Sequence, residues 1–491
     1  MGESVGKSTG DVFAKMMARV AIMVVEFIAL AAIGKRLGPD DYALWSQTIL
    51  TATLLVPLAT FALDRAIVRL LPFELGRAAY NVYRALVGLT LVAGVFLGGI
   101  LWVGRSLAAE LVYGSSSQSS LLIFVAGLLL GRSLFLVGAS YFQADAKIRT
   151  HAAIEVLWAL GRIGVLCLFP LALQWNLRRT LTMVVSWELA LAVGVIICAG
   201  AVLHRRKPVA RTRLSCYYAF SLPLVPAALT YWIMTYADRL FIVHFRGLTE
   251  LGQYAGAYRL ATVLSLFYAS FSFALPPVLF RLWERGRKAM ASRMVILFTH
   301  GYLILAIPTC VGVSHLSPVV VRVLATGEFE VSRLLVFILT AALLGLGLNA
   351  IWTKVIHLEK KTKSILAIYS GAALLNCVLN FLLIPKLGIL GAGLSTLAAY
   401  GILAFVMWRM SSRVLNRVVQ SGYAVRIVVA AVLVYGALLW WRPDTVTSAL
   451  LWAFAYMLGY GMVLWALLGF PRSLRVSSIL FRGGDVPDGG Q

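Results

Sequence analysis

Residues 119–141 read SSLLIFVAGLLLGRSLFLVGASY, twenty-three positions with one charge, Arg132, near the middle. About 20 apolar residues in an α-helix cross a hydrocarbon core of about 30 Å. This run therefore predicts a membrane-spanning helix that carries an arginine inside it. Working outward, the pattern recurs along the whole chain. Further runs at 12–34, 42–69, 84–104, 152–173, 181–203, 217–245, 252–280, 294–314, 333–356, 364–385, 389–409, 426–441 and 447–469 bring the expected number of spans to about fourteen, the thirteenth being short. The runs are too long, and lack the alternation, for an outer-membrane barrel. The expected fold class is an all-α membrane protein.

Composition points the same way. Of 491 residues, 60% are hydrophobic and 13% charged, against about 45–50% and about 25% in soluble domains. Five cysteines lie far apart, with no CxxC and no histidine at metal-ligand spacing, which argues against a disulfide scaffold, a zinc site or thioredoxin chemistry. The first ten residues are polar and no small-residue cleavage site follows the first apolar run, so a retained first helix is expected.

The net charge of +24 would suit a nucleic-acid binder, but the charges cluster between apolar runs. Counted loop by loop, 28 Lys and Arg fall on one side and 9 on the other. By the positive-inside rule this predicts an even number of spans with both termini in the cytoplasm. Most of the charge is then topology, and nucleic acid is not an expected partner. The longest outward segments, around 105–118 and 315–332, leave no room for a hydrophilic catalytic domain, and no nucleophile–base arrangement or nucleotide-binding segment is present. The expectation is a non-enzyme without cofactors or metals.

A shift of 212 residues aligns Glu26 with Asp238, Tyr42 with Tyr254, Phe61-Ala62-Leu63 with Phe273-Ala274-Leu275, and Arg69 with Arg281. Six helices separate the copies, an even number, so both would share one orientation, as in parallel transporter repeats. The expected organisation is two six-helix lobes, 1–204 and 214–410, related by a pseudo-two-fold repeat. A basic cytoplasmic linker, 205–213, joins them; a peripheral helix pair, 411–470, and a cytoplasmic tail, 471–491, follow.

Of 44 Lys and Arg, seven are left once the 28 and 9 counted with the loops are set aside, and of these Arg19 and Arg333 are near enough to helix ends to snorkel. Arg65, Arg132, Arg162, Arg239 and Arg259 sit deeper. At about +2.5–3.5 kcal/mol for each mid-bilayer arginine, they should face the bundle interior or water. Acids in the same zone are Glu26, Asp64, Glu155, Glu188 and Asp238. Asp64-Arg65 and Asp238-Arg239 are sequence neighbours and so point about 100° apart on a helix; pairing between helices, such as Glu26 with Arg65, is the better expectation. The five arginines are either structural ion-pair members or the lining of a hydrated cationic cavity, where a planar guanidinium suits phosphate. Glu26, Asp64 and Asp238 are the candidates for coupling to a proton or sodium ion. His300 and His315 could relay protons or be plainly hydrogen-bonded, and Asn349, Lys354, Asn376 and Asn380 could line a cavity or serve as interhelical glue, glue being the preferred reading. Bends are expected at Pro57, Pro223, Pro226, Pro276 and Pro277.

Three stretches carry a family resemblance: Gly34-Lys35-Arg36-Leu37-Gly38-Pro39-Asp40-Asp41-Tyr42-Ala43; Ala237-Asp238-Arg239-Leu240-Phe241 with Leu251-Gly252-Gln253-Tyr254-Ala255-Gly256-Ala257-Tyr258-Arg259; and 380–393. With the span number and order over residues 10–470, the chain resembles the multidrug/oligosaccharidyl-lipid/polysaccharide exporter superfamily, within it the O-antigen-type polysaccharide flippases. That resemblance implies two lobes around a central cavity in the bacterial inner membrane. It implies alternating-access transfer of a polyprenyl-diphosphate-linked oligosaccharide to the outer leaflet, for lipopolysaccharide or other polysaccharide biosynthesis. Membrane lipids, polysaccharide polymerase and other assembly proteins are the implied partners. A drug or cation antiporter of the same superfamily and a lipid II flippase are the alternatives.

Overall fold

The computed structural model describes residues 2–73, 77–167, 176–204, 214–324, 331–359 and 362–468; the side chains of 2–16, Arg19 and Glu26 are among those outside the description. The expected linker 205–213 and tail 471–491 also lie outside it. The described chain is helical: α1 (Gly2–Thr60), α2 (Leu63–Leu70), α3 (Arg77–Val103), α4 (Arg105–Tyr113), α5 (Leu122–Ala144), α6 (Ile148–Cys167), α7 (Leu177–His204), α8 (Leu214–Ser221), α9 (Leu224–Tyr236) and α10 (Asp238–Ala261). It continues as α11 (Leu264–Glu284), α12 (Lys288–Leu324), α13 (Arg333–Leu358), α14 (Thr362–Leu387), α15 (Ile389–Leu415), α16 (Ser421–Leu438) and α17 (Val446–Leu468). Helices dominate because hydrocarbon offers backbone N–H and C=O groups no partner, so each segment must satisfy its own.

Among the described residues eleven segments are long and apolar enough to cross a membrane. The runs 12–34, 152–173 and 217–245 are not among them, and all three carry charge: Arg19 and Glu26, Glu155 and Arg162, Asp238 and Arg239. The protein is an all-α, multi-pass membrane protein.

Two turns inside helices fall on glycines. Inside α1, Gly38 has φ 75° and ψ −179°, and inside α10, Gly247 has φ 85° and ψ −174°. That corner of conformational space is open essentially to glycine alone. Pro57, Pro276 and Pro277 sit within continuous helices, as neighbouring helices in a membrane allow. Pro226 lies in the first turn of α9, where its missing N–H removes no intrahelical bond. Pro223 does mark a break, between α8 and α9. The run 217–245, expected as one span, is thus interrupted there and again at Ala237.

In the first half α1 packs on α5 and α6, α3 on α5, and α5 on α7. In the second, α13 packs on α11, α12 and α15, and α14 on α9 and α15. The halves meet mainly where α1 lies against α10, with α2 against α8. The pair α16–α17 rests on α12. Both histidines pin that pair: His300 accepts from the Gln420 backbone N–H (3.2 Å) and stacks on Tyr423, while His315 lies 3.1 Å from the Trp441 carbonyl and stacks on Trp452.

Candidate functional site

Two of the five deep arginines converge on one acid. Arg132 of α5 reaches Glu188 of α7 at 3.1 Å, and Arg162 of α6 lies 3.9 Å from the same carboxylate. The Glu188 side chain is fully buried. Gly131 makes this possible: its backbone lies so near α7 that an added Cβ would stand 3.2 Å from the Glu188 Cβ. Arg132 also donates to Thr53 Oγ1 (2.6 Å) and the Ile49 carbonyl (3.1 Å) on α1. Trp158 offers its ring to both cations, 5.0 Å from Arg162 and 6.0 Å from Arg132. Removing ions from water costs several kcal/mol each, so burial demands such company. The Glu188 carboxylate is thus shared by two guanidinium groups. Glu155 stands 3.7 Å from His151, one turn away on α6.

The second cluster begins at the break before α10. The Asp238 carboxylate accepts from the Arg239 backbone N–H (2.8 Å) and from the Tyr254 hydroxyl. The Arg239 guanidinium points elsewhere, donating to Ser46 Oγ of α1 at 2.6 Å, with the Tyr236 and Tyr258 rings 5.6 Å and 5.3 Å away. Neighbouring side chains on a helix diverge by about 100°, and these two do. Arg239 is buried, and its Nε has no hydrogen-bond partner among the described residues. On α14, which packs against α10, Asn380 donates to Asn376 Oδ1 (2.9 Å), leaving Asn376 Nδ2 and Asn380 Oδ1 without partners there.

The remaining expected residues are not drawn into either cluster by the described contacts. Arg65 is exposed and Asp64 half-buried in the first turn of α2, and Arg259 is half-buried on α10. The Glu26 side chain, and with it the expected Glu26–Arg65 pair, lies outside the described residues. Sequence reasoning left Glu188 without a role, although it is the only acid in the run 181–203. It gave no weight to Ser46 or Thr53, because nothing local marks a helix-borne hydroxyl as an arginine acceptor.

At the end of the bundle that the charge count assigns outward, the halves are in close contact. Thr249 Oγ1 donates to Asp40 Oδ1 at 2.7 Å. Gly252 packs on Pro39 so tightly that a Cβ there would fall 2.1 Å from the Pro39 carbonyl oxygen. Gly114, at the end of α4, lies against Val243. Beside this seam a cavity of about 1050 Å³ is lined by Arg246, Glu250, Arg322 and Lys386 among others; none of the five expected arginines lines it.

The family model described as polysaccharide biosynthesis protein matches residues 8–283, more than half of the chain. The chain belongs to the polysaccharide biosynthesis protein family. Among curated proteins this family member is 22% identical over 412 residues to an uncharacterized membrane protein of Methanocaldococcus jannaschii, covering 78% of this chain and 79% of the other. In fold it is similar to a lipid II flippase in an inward closed conformation, with a TM-score of 0.74 and 15% identity over 92% of this chain and 98% of that one. It is also similar to a multidrug resistance MATE family transporter of the MOP superfamily in an inward-facing conformation (TM-score 0.64, 14% identity, 82% and 98% covered). A Vibrio cholerae MATE transporter aligns with a TM-score of 0.59 and 14% identity, over 84% and 97% of the two chains. The resemblance to the exporter superfamily thus holds in both family and fold.

Proposed function

We propose that this protein moves a polyprenyl-diphosphate-linked oligosaccharide from the cytoplasmic to the outer leaflet of a bacterial inner membrane, by alternating access between two six-helix lobes, 1–204 and 214–410. The observation that carries the reading is buried Arg239, whose Nε finds no hydrogen-bond partner among the described residues. Arg132 and Arg162 share one carboxylate. A diphosphate needs such donors, because dragging it with its sugars through bare hydrocarbon would cost on the order of tens of kcal/mol. Arg65, Arg132, Arg162, Arg239 and Arg259 are the substrate-binding set. The polyprenyl tail stays in lipid throughout, so no covalent step is required. An interior rich in arginine disfavours the antiporter of cationic drugs.

The contact of the halves at Asp40–Thr249 and Pro39–Gly252 corresponds in this reading to a loading state, closed outward, with both termini cytoplasmic. Glu26, Asp64 and Asp238 are the coupling-ion candidates. Asp238 draws support from the neighbouring helix α14, where Asn380 Oδ1 is a buried, unused acceptor suited to a cation. Polysaccharide polymerase and other assembly proteins take the product in the O-antigen form of this reading. A second reading, with lipid II as the substrate, draws on the fold likeness to the lipid II flippase; it uses the same diphosphate chemistry.

The test is depletion of the protein followed by leaflet-resolved detection of lipid-linked sugars, with Arg239→Ala and Arg259→Ala variants supplied in trans. Accumulation of lipid-linked O-antigen or exopolysaccharide units on the cytoplasmic face is expected, unrelieved by either variant. Accumulation of lipid II instead selects the second reading. Altered dye efflux without either accumulation sinks both.

A further inference from the structure

A second groove lies away from the buried arginines, between α3 and α7, with a volume of about 570 Å³. Its mouth is polar: Arg84 and Tyr80 of α3 stand there with His204, the last residue of α7, and the Tyr80 and His204 rings meet edge-on at 5.3 Å. Its depth is apolar. Val87 lies one helical turn, about 5 Å, beyond Arg84, and Ile196 and Ile197 lie about 10–12 Å beyond His204 at 1.5 Å per residue. Gly200 and Ala201 make the hollow between them, and a Cβ on Gly200 would meet nothing nearer than Tyr80 at 3.8 Å. Among the described residues no carboxylate pairs with exposed Arg84.

The groove faces lipid, not the interior of the bundle. At 100° per residue, Ile197 and His204 lie about 180° and about 160° around α7 from Glu188. Ile197 is 63% exposed and Val193, one turn further in, 51%. A cation at the mouth of a groove whose walls turn apolar with depth suits a lipid with an anionic head and a hydrocarbon chain below it. Basic pockets between membrane helices at the cytoplasmic end are suited to such headgroups. We propose that the α3–α7 groove binds an anionic phospholipid, its phosphate on Arg84 and Tyr80 and one acyl chain along Val87, Ile196 and Ile197. The site is independent of the transported substrate and holds whichever lipid-linked sugar the protein moves.

Native mass spectrometry of the detergent-purified protein tests this, with phosphatidylglycerol and phosphatidylethanolamine offered in equal amounts. The wild type is expected to retain phosphatidylglycerol preferentially. Arg84→Gln should weaken that retention about fivefold, the effect of one juxtamembrane charge, whereas Arg409→Gln, on another helix, leaves it unchanged. Gly200→Leu, which fills the hollow without touching the charge, should remove the bound lipid, and it carries the test if Arg84→Gln does not fold. Equal retention of the two lipids by the wild type overturns the proposal, as does wild-type retention by Gly200→Leu. Displacement of the lipid by millimolar inorganic phosphate also overturns it, since the groove would then serve a free anion.

Discussion

Asp40 and Thr249 are hydrogen-bonded at 2.7 Å, and each stands two residues beyond the glycine at which its own half of the chain turns. In the proposed two-lobe repeat, positions equivalent about Gly38 and Gly247 would meet near the axis relating the lobes. Such a contact is what a parallel repeat about the membrane normal would place at the outward end. The glycines are 209 residues apart, whereas the best sequence register is 212. The three extra residues fall between the glycine turn and the Tyr42–Tyr254 match.

Because their side-chain oxygens are in bonding contact, Asp40→Cys with Thr249→Cys should cross-link on mild oxidation, in a background where exposed Cys198 and Cys216 are serine. If the halves must part there during transport, the cross-linked protein is inactive and a reductant restores it. Full activity in the fully cross-linked form would show that the outward end need not open.

Gly252→Ala places a methyl where the Pro39 carbonyl stands, and that neighbour is backbone that cannot rotate aside. The seam must spread to admit it. Expected is faster labelling of Asp40→Cys by an impermeant thiol reagent added from outside; unchanged labelling would mean that the contact is absent in the membrane.

Glu188→Gln would leave Arg132 and Arg162 buried without their shared carboxylate. Removing one partner of a buried ion pair costs about 3–5 kcal/mol, so the variant should accumulate poorly and lose heat resistance in detergent. Arg162→Gln combined with Glu188→Gln should regain part of that stability, since one cation then remains with Thr53 and Ile49 as its acceptors. Normal stability of Glu188→Gln alone would rule out the charge-sharing account.

Ser46→Ala deletes the acceptor of Arg239 while leaving the cation in place. A hydrogen bond to a charged group contributes about 1.5–3 kcal/mol, and this one joins α1 to α10. The variant should therefore shift the balance between closed and open seams, changing export rate without abolishing binding. Arg239→Lys, which keeps charge but loses the fork, should retain only part of the export; parity with wild type would place no demand on guanidinium geometry.

The spans themselves were legible because length and apolarity are local properties. Three expected runs miss the apolar criterion: 12–34 and 152–173 carry charges, and 217–245 is also broken into shorter helices at Pro223 and Ala237. The turns inside α1 and α10 were less so. Proline draws attention as a helix breaker, yet Pro276 and Pro277 lie within an unbroken α11, because membrane helices let neighbours satisfy the freed carbonyls. Gly38 and Gly247 are ordinary letters among 42 glycines; only their backbone angles single them out.

The sequence by itself determined that this chain is helical and crosses a membrane many times, and that it carries arginines inside apolar runs. Hydrocarbon enforces those rules residue by residue. The tertiary structure alone decided who meets whom. Arg132 and Arg162 come from different helices to a glutamate on a third, and Arg239 passes over its neighbour Asp238 to reach Ser46, 193 positions away in the chain. A helix sends adjacent side chains apart, so the partner of a buried charge is chosen by how helices pack.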